Sequence, residues 1–180
     1  MASIQNPCRF IKIHMIKIVQ FIKKKLCKFV HKPEGVYTEG GYLYFYNPKF
    51  NILDPFAPTQ IKLWGKDFPT AEHAYQYKKF ETGAPSVADE ILRCKNPWQI
   101  RSVVSKNKSK MDPNFDKVKV MTEVFRTKML QHKEVQEILV QFEEYKLLEN
   151  SATDTFWGIG QKHNGKNMTG KIWMILRDEL

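Results

Sequence analysis

Helix-start signals recur from Thr70 onward in this 180-residue chain and confine it to short helices joined by tight loops. Thr70 follows Pro69, and its hydroxyl can cap the amides that come after. Asp112 precedes Pro113, whose fixed φ suits a first helical position. The spacing predicts helices from Thr70, near Ser86 to Cys94, and over Pro97 to Val104. A longer one is capped by Asp112, with Phe115, Val118, Met121, Phe125 and Met129 on one side. Val135 to Phe142 and Met168 to Leu180 read as further helices. Tyr42 to Tyr46 is aromatic-rich and reads as a strand, as do Ile61 to Trp64 and Lys146 to Glu149. Pro48, Pro55 and Pro58 break up the loop between the first two, and no segment repeats. The expected class is α+β: a mainly helical single domain with a small β-sheet.

Before that domain, residues 10 to 30 have the pattern of a basic amphipathic helix. Ile11, Met15, Ile18, Ile22, Leu26 and Phe29 recur at helical spacing among Lys12, Lys17, Lys23, Lys24, Lys25 and Lys28. Such a segment can pack on the domain, lie on an anionic membrane surface, or serve in targeting. Lysines interrupt every apolar stretch, which argues against a secretory signal. Lys32-Pro33-Glu34-Gly35 ends the helix, and the expected division is residues 1–40 as an extension and 41–180 as the domain.

The net charge is +10 and unevenly spread. Residues 1–40 carry eight Lys/Arg against two acids, and the rest 21 against 17. The remainder is mildly basic, which suits a phosphate-bearing small molecule and permits nucleic acid without requiring it. No run of about 18 apolar residues exists, which excludes a conventional spanning helix. Cys8, Cys27 and Cys94 are odd in number and far apart, so neither a disulfide scaffold nor a metal site is expected. The expected location is cytoplasmic.

Two constellations can carry chemistry. The first is Phe68-Pro69-Thr70-Ala71-Glu72-His73-Ala74-Tyr75-Gln76-Tyr77-Lys78-Lys79-Phe80. Glu72 and Lys79 are two turns apart, about 20° from each other on one helix face, whereas Lys78 points well away. A carboxylate and an amine so placed can share a proton-transfer site, and a desolvated lysine is a carbonyl nucleophile. The same residues also fit a plain reading, an acid favoured in the first turn by the helix dipole and lysines decorating solvent.

The second constellation is Asp154-Thr155-Phe156-Trp157-Gly158-Ile159-Gly160, followed by Gly165, Asn167, Gly170 and Arg177. Gly158 and Gly160 allow a backbone close to a ligand, and Trp157 can stack on a planar base. Asn167, opening the last helix, places free amides where a phosphate can sit. A buried tryptophan beside ordinary turns gives the same pattern. No dinucleotide fingerprint or Walker loop matches, and no cofactor is implied.

Phe-Pro-Thr-Ala-Glu-His with Gln76 and Lys79-Phe80, then Trp157-Gly158-x-Gly160, Gly165-x-Asn167-x-x-Gly170 and Met174-x-x-Arg177, together resemble the YbiA-like family, also called NADAR. The resemblance runs from about Tyr44 to the C-terminus. It implies an N-glycosidase. Bacterial and plant members act on the first two intermediates of riboflavin biosynthesis, both phosphoribosylamino-pyrimidines, and others remove ADP-ribose from guanine bases. It implies Glu72 as acid/base, Lys79 as companion amine, and Trp157 facing base or sugar. Asp154, Phe115, Gly158, Gly160, Asn167 and Arg177 complete the expected binding set, with no metal. The chain departs from the family pattern at Phe115 (often Trp), at Ile159 (Asp in some), and at Leu53-Asp54-Pro55-Phe56. A nucleotide-binding module without turnover is the expectation from another class, against which an intact Glu72 and Lys79 argue. Arg177-Asp178-Glu179-Leu180 has the form of a retrieval tail, expected to be coincidence without a secretory signal.

Overall fold

The structure, a computed structural model, describes residues 35–45 and 51–180. The amphipathic helix expected over residues 10–30 lies outside them, as does Tyr46.

Gly40 and Gly41 both take positive φ, +55° and +82°, a backbone open to glycine at little cost. They turn strand β1 (Val36–Glu39) back into β2 (Tyr42–Phe45) as an antiparallel hairpin. This sheet therefore begins before residue 40, the boundary expected from the sequence. β1 escapes a pattern search because it is an edge strand with only Val36 buried. A second hairpin joins β3 (Ile61–Leu63) to β4 (Lys66–Phe68) through Trp64 and Gly65, both at positive φ. The sequence places Trp64 at the end of a strand and shows no β4. Instead Trp64 is a turn residue, anchored by its indole nitrogen donating to Glu123 Oε1 at 2.8 Å.

β5 (Lys146–Glu149) completes the first sheet by pairing in parallel with β2, Leu43 opposite Leu147 and Phe45 opposite Glu149. A parallel pair needs a long crossover, and the helical part of the domain up to residue 145 lies in it. Because strand side chains alternate, Leu43, Phe45, Leu147 and Glu149 all face inward and are buried.

Helix α1 (Ala71–Lys78) is central, with α2 (Pro85–Leu92), α3 (Pro97–Lys106) and α4 (Lys117–Gln131) against it. Thr70 caps α1 as expected, accepting from the His73 amide at 3.2 Å, a contribution of about 1 kcal/mol. The His73 ring is buried behind it, 2.8 Å from the Thr70 hydroxyl and 2.9 Å from the Cys94 carbonyl oxygen. The cap of α4 differs from the expectation. Asp116, not Asp112, accepts from the amides of Val118 and Lys119 at 3.1 and 3.0 Å. Asp112 is held instead in a turn, its amide donating to the Lys79 carbonyl at 2.9 Å and its side chain accepting from Asn114 at 2.8 Å. Pro113 and Phe115 thus sit in the loop before the helix.

After α5 (Lys133–Gln141) and β5, the chain ends in α6 (Met168–Arg177). Trp173 of α6 is fully buried, stacked on Phe125 of α4 with ring centroids 4.3 Å apart. Its indole donates to the Leu53 carbonyl at 2.9 Å, and Lys128 of α4 donates to the Asp54 carbonyl at 3.0 Å. These two bonds and that from the Glu72 amide to the Pro55 carbonyl fix the 51–56 loop beneath α1. Burial pulls Lys128 down to about 7 and pushes Asp54 up to about 6, each opposed in part by the charge of the other. Among the described residues no helix is long and apolar enough to cross a membrane.

Candidate active site

α1 and its C-cap residue present Glu72, Tyr75, Gln76 and Lys79 to one cavity of about 400 Å³. Their spacing of three, four and seven residues places them on a single helix face. Lys78 faces elsewhere, paired with Glu81 and lying over the Trp64 ring at 4.7 Å. The facing wall comes from the end of β5, the loop after it and the first turn of α6, with Glu149, Ser151, Asp154, Trp157 and Thr169. Phe56 and Arg101 also line the space. The Arg101 guanidinium lies over the rings of Phe56 and Trp98, at 5.4 and 5.2 Å.

The two expected catalytic groups share this cavity, and both have displaced proton affinities. Glu72 is 6% exposed and accepts from Gln76 Nε2 at 2.8 Å. Burial pushes its carboxyl up to about 7. The Gln76 hydrogen bond and the charges of Lys79 and Arg101 oppose this, and Asp54 adds to it. Burial likewise pulls the Lys79 ammonium below its ordinary value; Glu72 opposes the shift and Lys117 adds to it. The Lys79 nitrogen lies over the rings of Tyr75 and Phe115, at 4.4 and 5.7 Å. An acid near neutrality beside a weakened ammonium can exchange a proton at either group's expense. Tyr75 keeps its phenol proton, since burial and then Glu72 and Asp154 raise its affinity.

Trp157 reaches the cavity because Asp154 holds its backbone. Asp154 Oδ1 accepts from the amides of Phe156 and Trp157 at 2.8 and 2.7 Å. The indole then meets Tyr75 edge to face at 5.6 Å. Phe115 meets the same tyrosine at 5.4 Å but stands behind the lining residues.

The other expected binding residues serve the wall instead of lining the cavity. Asn167 spends its side chain on β5, Oδ1 accepting from the Glu149 amide at 2.9 Å and Nδ2 donating to the Leu147 carbonyl at 2.8 Å. The amides expected to be free for a phosphate are taken as well. Met168 donates to the Phe156 carbonyl and Thr169 to that of Trp157, both at 3.1 Å. A Cβ at Gly158 would come 2.9 Å from the Glu149 carbonyl oxygen, so this glycine is a packing requirement. Gly160 has φ +68° and an added Cβ would press on Thr155 at 2.8 Å. Arg177 donates to the carbonyls of Phe142 and Tyr145, both at 2.9 Å, and holds the end of α5. Ile159 is buried, its amide bonded to the Glu149 carbonyl at 2.9 Å.

Several lining residues carry no role in the sequence reading. Tyr75 and Gln76 are legible afterwards, three and four residues after Glu72. Glu149 is marked by strand alternation, which puts it on the face of Leu147. Ser151, Thr169 and Arg101 leave no sequence signal, since tertiary packing alone brings them here.

The NADAR domain family matches residues 38–180. N-glycosidase YbiA of Shigella boydii is 36% identical over 128 residues, covering 69% of this chain and 78% of that protein. A riboflavin biosynthesis protein of Vibrio vulnificus is 32% identical over 142 residues, 77% of this chain and 38% of that longer protein. The NMR structure of Escherichia coli YbiA superposes with a TM-score of 0.66 and 29% identity, covering 81% of this chain and 88% of that one. Fold, motifs and relatives agree: the chain belongs to the NADAR domain family.

Proposed function

We propose that this protein is an N-glycosidase that hydrolyses the N-glycosidic bond of phosphoribosylamino-pyrimidines, the reactive intermediates of riboflavin biosynthesis. The observation that carries the reading is the pairing of Glu72 and Lys79 in one cavity, opposite the Trp157 ring. In these substrates ribose C1 is joined to an exocyclic amine. Such a carbon opens to an iminium ion once a proton reaches the ring oxygen, and Glu72 supplies that proton. The neutral Lys79 amine adds to C1. Glu72 then moves a proton from the lysine nitrogen to the pyrimidine amine, the bond from C1 to that amine breaks, and a lysine Schiff base remains. Water adds to the Schiff base and releases ribose 5-phosphate and free Lys79. The sum is substrate plus water giving aminopyrimidine plus sugar phosphate. Arg101, which lines the same cavity, holds the phosphate, and Trp157 stacks on the pyrimidine.

Among the described residues the cavity lining runs from Pro55 to Thr169, and residues 1–40 are assigned no part in the chemistry because the family match begins only at residue 38. A phosphorylated substrate stays in the compartment that makes it, so the protein works in the cytoplasm. Any contact of the basic extension with a membrane surface is separate from turnover.

The test is to incubate the purified chain with the phosphoribosylamino-pyrimidines and, in parallel, with DNA ADP-ribosylated on guanine. Release of ribose 5-phosphate from the first is the expected result. Release of ADP-ribose alone would move the activity to modified nucleic acid, and release from neither would leave a binding module.

A further inference from the structure

Glu149 stands where strand alternation calls for an apolar side chain. It shares the inward face of the sheet with Leu43, Phe45 and Leu147, each fully buried, and is itself 5% exposed. Its backbone is fixed on both sides, the amide by Asn167 and the carbonyl by Ile159. Thr169 faces the carboxyl and lowers its proton affinity, yet Oε2 has no hydrogen-bond partner and the residue lines the cavity. The charges that bear on it are all acidic, Asp54, Asp154 and Glu72, and together with burial they push it up to about 8. A buried carboxyl that no cation offsets is costly to keep for stability alone. What it lacks is a hydrogen-bond donor.

The cavity is also divided in character. Lys79 and Arg101 are cations and suit a phosphate, whereas the wall of Glu149, Ser151, Asp154 and Thr169 offers carboxyl and hydroxyl oxygens beside the Trp157 ring. An anionic sugar phosphate is matched better by Lys79 and Arg101 than by that wall. A planar base with adjacent ring N–H and amino groups matches it in both shape and donors.

Resting on the N-glycosidase reading, we propose that Glu149 is the specificity-determining acceptor that receives the N–H edge of the leaving base, with Thr169 holding its carboxyl in place. Gly158, Gly170 and Asn167 then have a common purpose, which is to bring loop and helix close enough to β5 to fix this one side chain.

Glu149→Leu and Glu149→Gln test this against a purely structural role. Competitive inhibition is measured with isocytosine, which carries a ring N–H beside an amino group, with unsubstituted pyrimidine, and with ribose 5-phosphate. The expected result for Glu149→Leu is isocytosine inhibition weakened about tenfold or more, with ribose 5-phosphate unchanged and thermal stability equal or higher. Glu149→Gln should fold like wild type and show a smaller selective loss, because its one carbonyl oxygen still accepts from part of the N–H edge. Several results overturn the proposal: equal isocytosine affinity in wild type and variants, loss of ribose 5-phosphate affinity instead, a wild type that binds isocytosine no better than pyrimidine, or a lowered unfolding temperature for both variants. If wild type cleaves no substrate, the N-glycosidase reading fails, and direct calorimetric binding of isocytosine to wild type and Glu149→Leu still decides the base-edge contact.

Discussion

Glu72→Gln should make the protein more stable and nearly inactive at once. The side chain is 6% exposed and its carboxyl is pushed up from 4.5 to about 7, chiefly by burial. A carboxyl raised in the folded state disfavours folding wherever the unfolded chain ionises it more readily. Below pH 4.5 both states are protonated and nothing is lost. Between pH 4.5 and 7 the unfolded chain ionises first and stability falls. Above pH 7 the full difference, about 3 kcal/mol, is in place. Glutamine removes that titration, and its carbonyl can still accept from Gln76 Nε2, the bond seen at 2.8 Å. Stability at pH 8 should therefore rise by up to about 3 kcal/mol, or about 6–12 °C in unfolding temperature for a domain of this size. At pH 4 the two proteins should unfold together. Sugar release at pH 8 should fall by about 10²-fold or more with the proton shuttle gone. Thermal unfolding followed by circular dichroism at pH 4, 6 and 8, beside a product assay, measures both. A variant less stable than wild type at pH 8, or one that turns over within a few-fold of it, would refute the reasoning.

Borohydride added during turnover should trap a sugar adduct on Lys79 and none on Lys78, which is tied to Glu81 on another face; peptide mass spectrometry reads this directly. Lys79→Arg keeps the charge but forms no imine, so full activity without an adduct would leave water activated by Glu72 as the mechanism. Gly170→Ala should destabilise by about 3 kcal/mol, because its Cβ would lie 2.1 Å from the Leu147 carbonyl oxygen; an unchanged denaturation midpoint would disprove the close packing of α6 on β5. A chain starting at Gly35 should fold and turn over normally. One starting at Tyr42 loses β1, leaves β2 as an exposed edge, and should unfold at a lower temperature; equal melting of the two would remove β1 from the domain.

That Glu72 and Lys79 share a helix face and Lys78 does not was legible in the sequence alone, because helix periodicity is a local property and seven residues bring a side chain back to the same face. The Thr70 cap and the positions of most helices were legible for the same reason. The α4 cap was harder, since Asp112 and Asp116 are both good caps by composition. What decided between them was a bond across the fold, from the Asp112 amide to the Lys79 carbonyl. Of the second wall Asp154 and Trp157 were legible by motif, and the rest depended on tertiary structure. Glu149 faces inward because β5 pairs with β2, a strand far away in the chain, and no local pattern encodes that partner. Asn167 and the glycines looked like ligand contacts because close approach to a phosphate and close approach to a strand ask for the same residues. Only the packing of α6 on β5 shows which neighbour Gly158, Gly170 and Asn167 meet, and it is the backbone of the strand that carries Glu149.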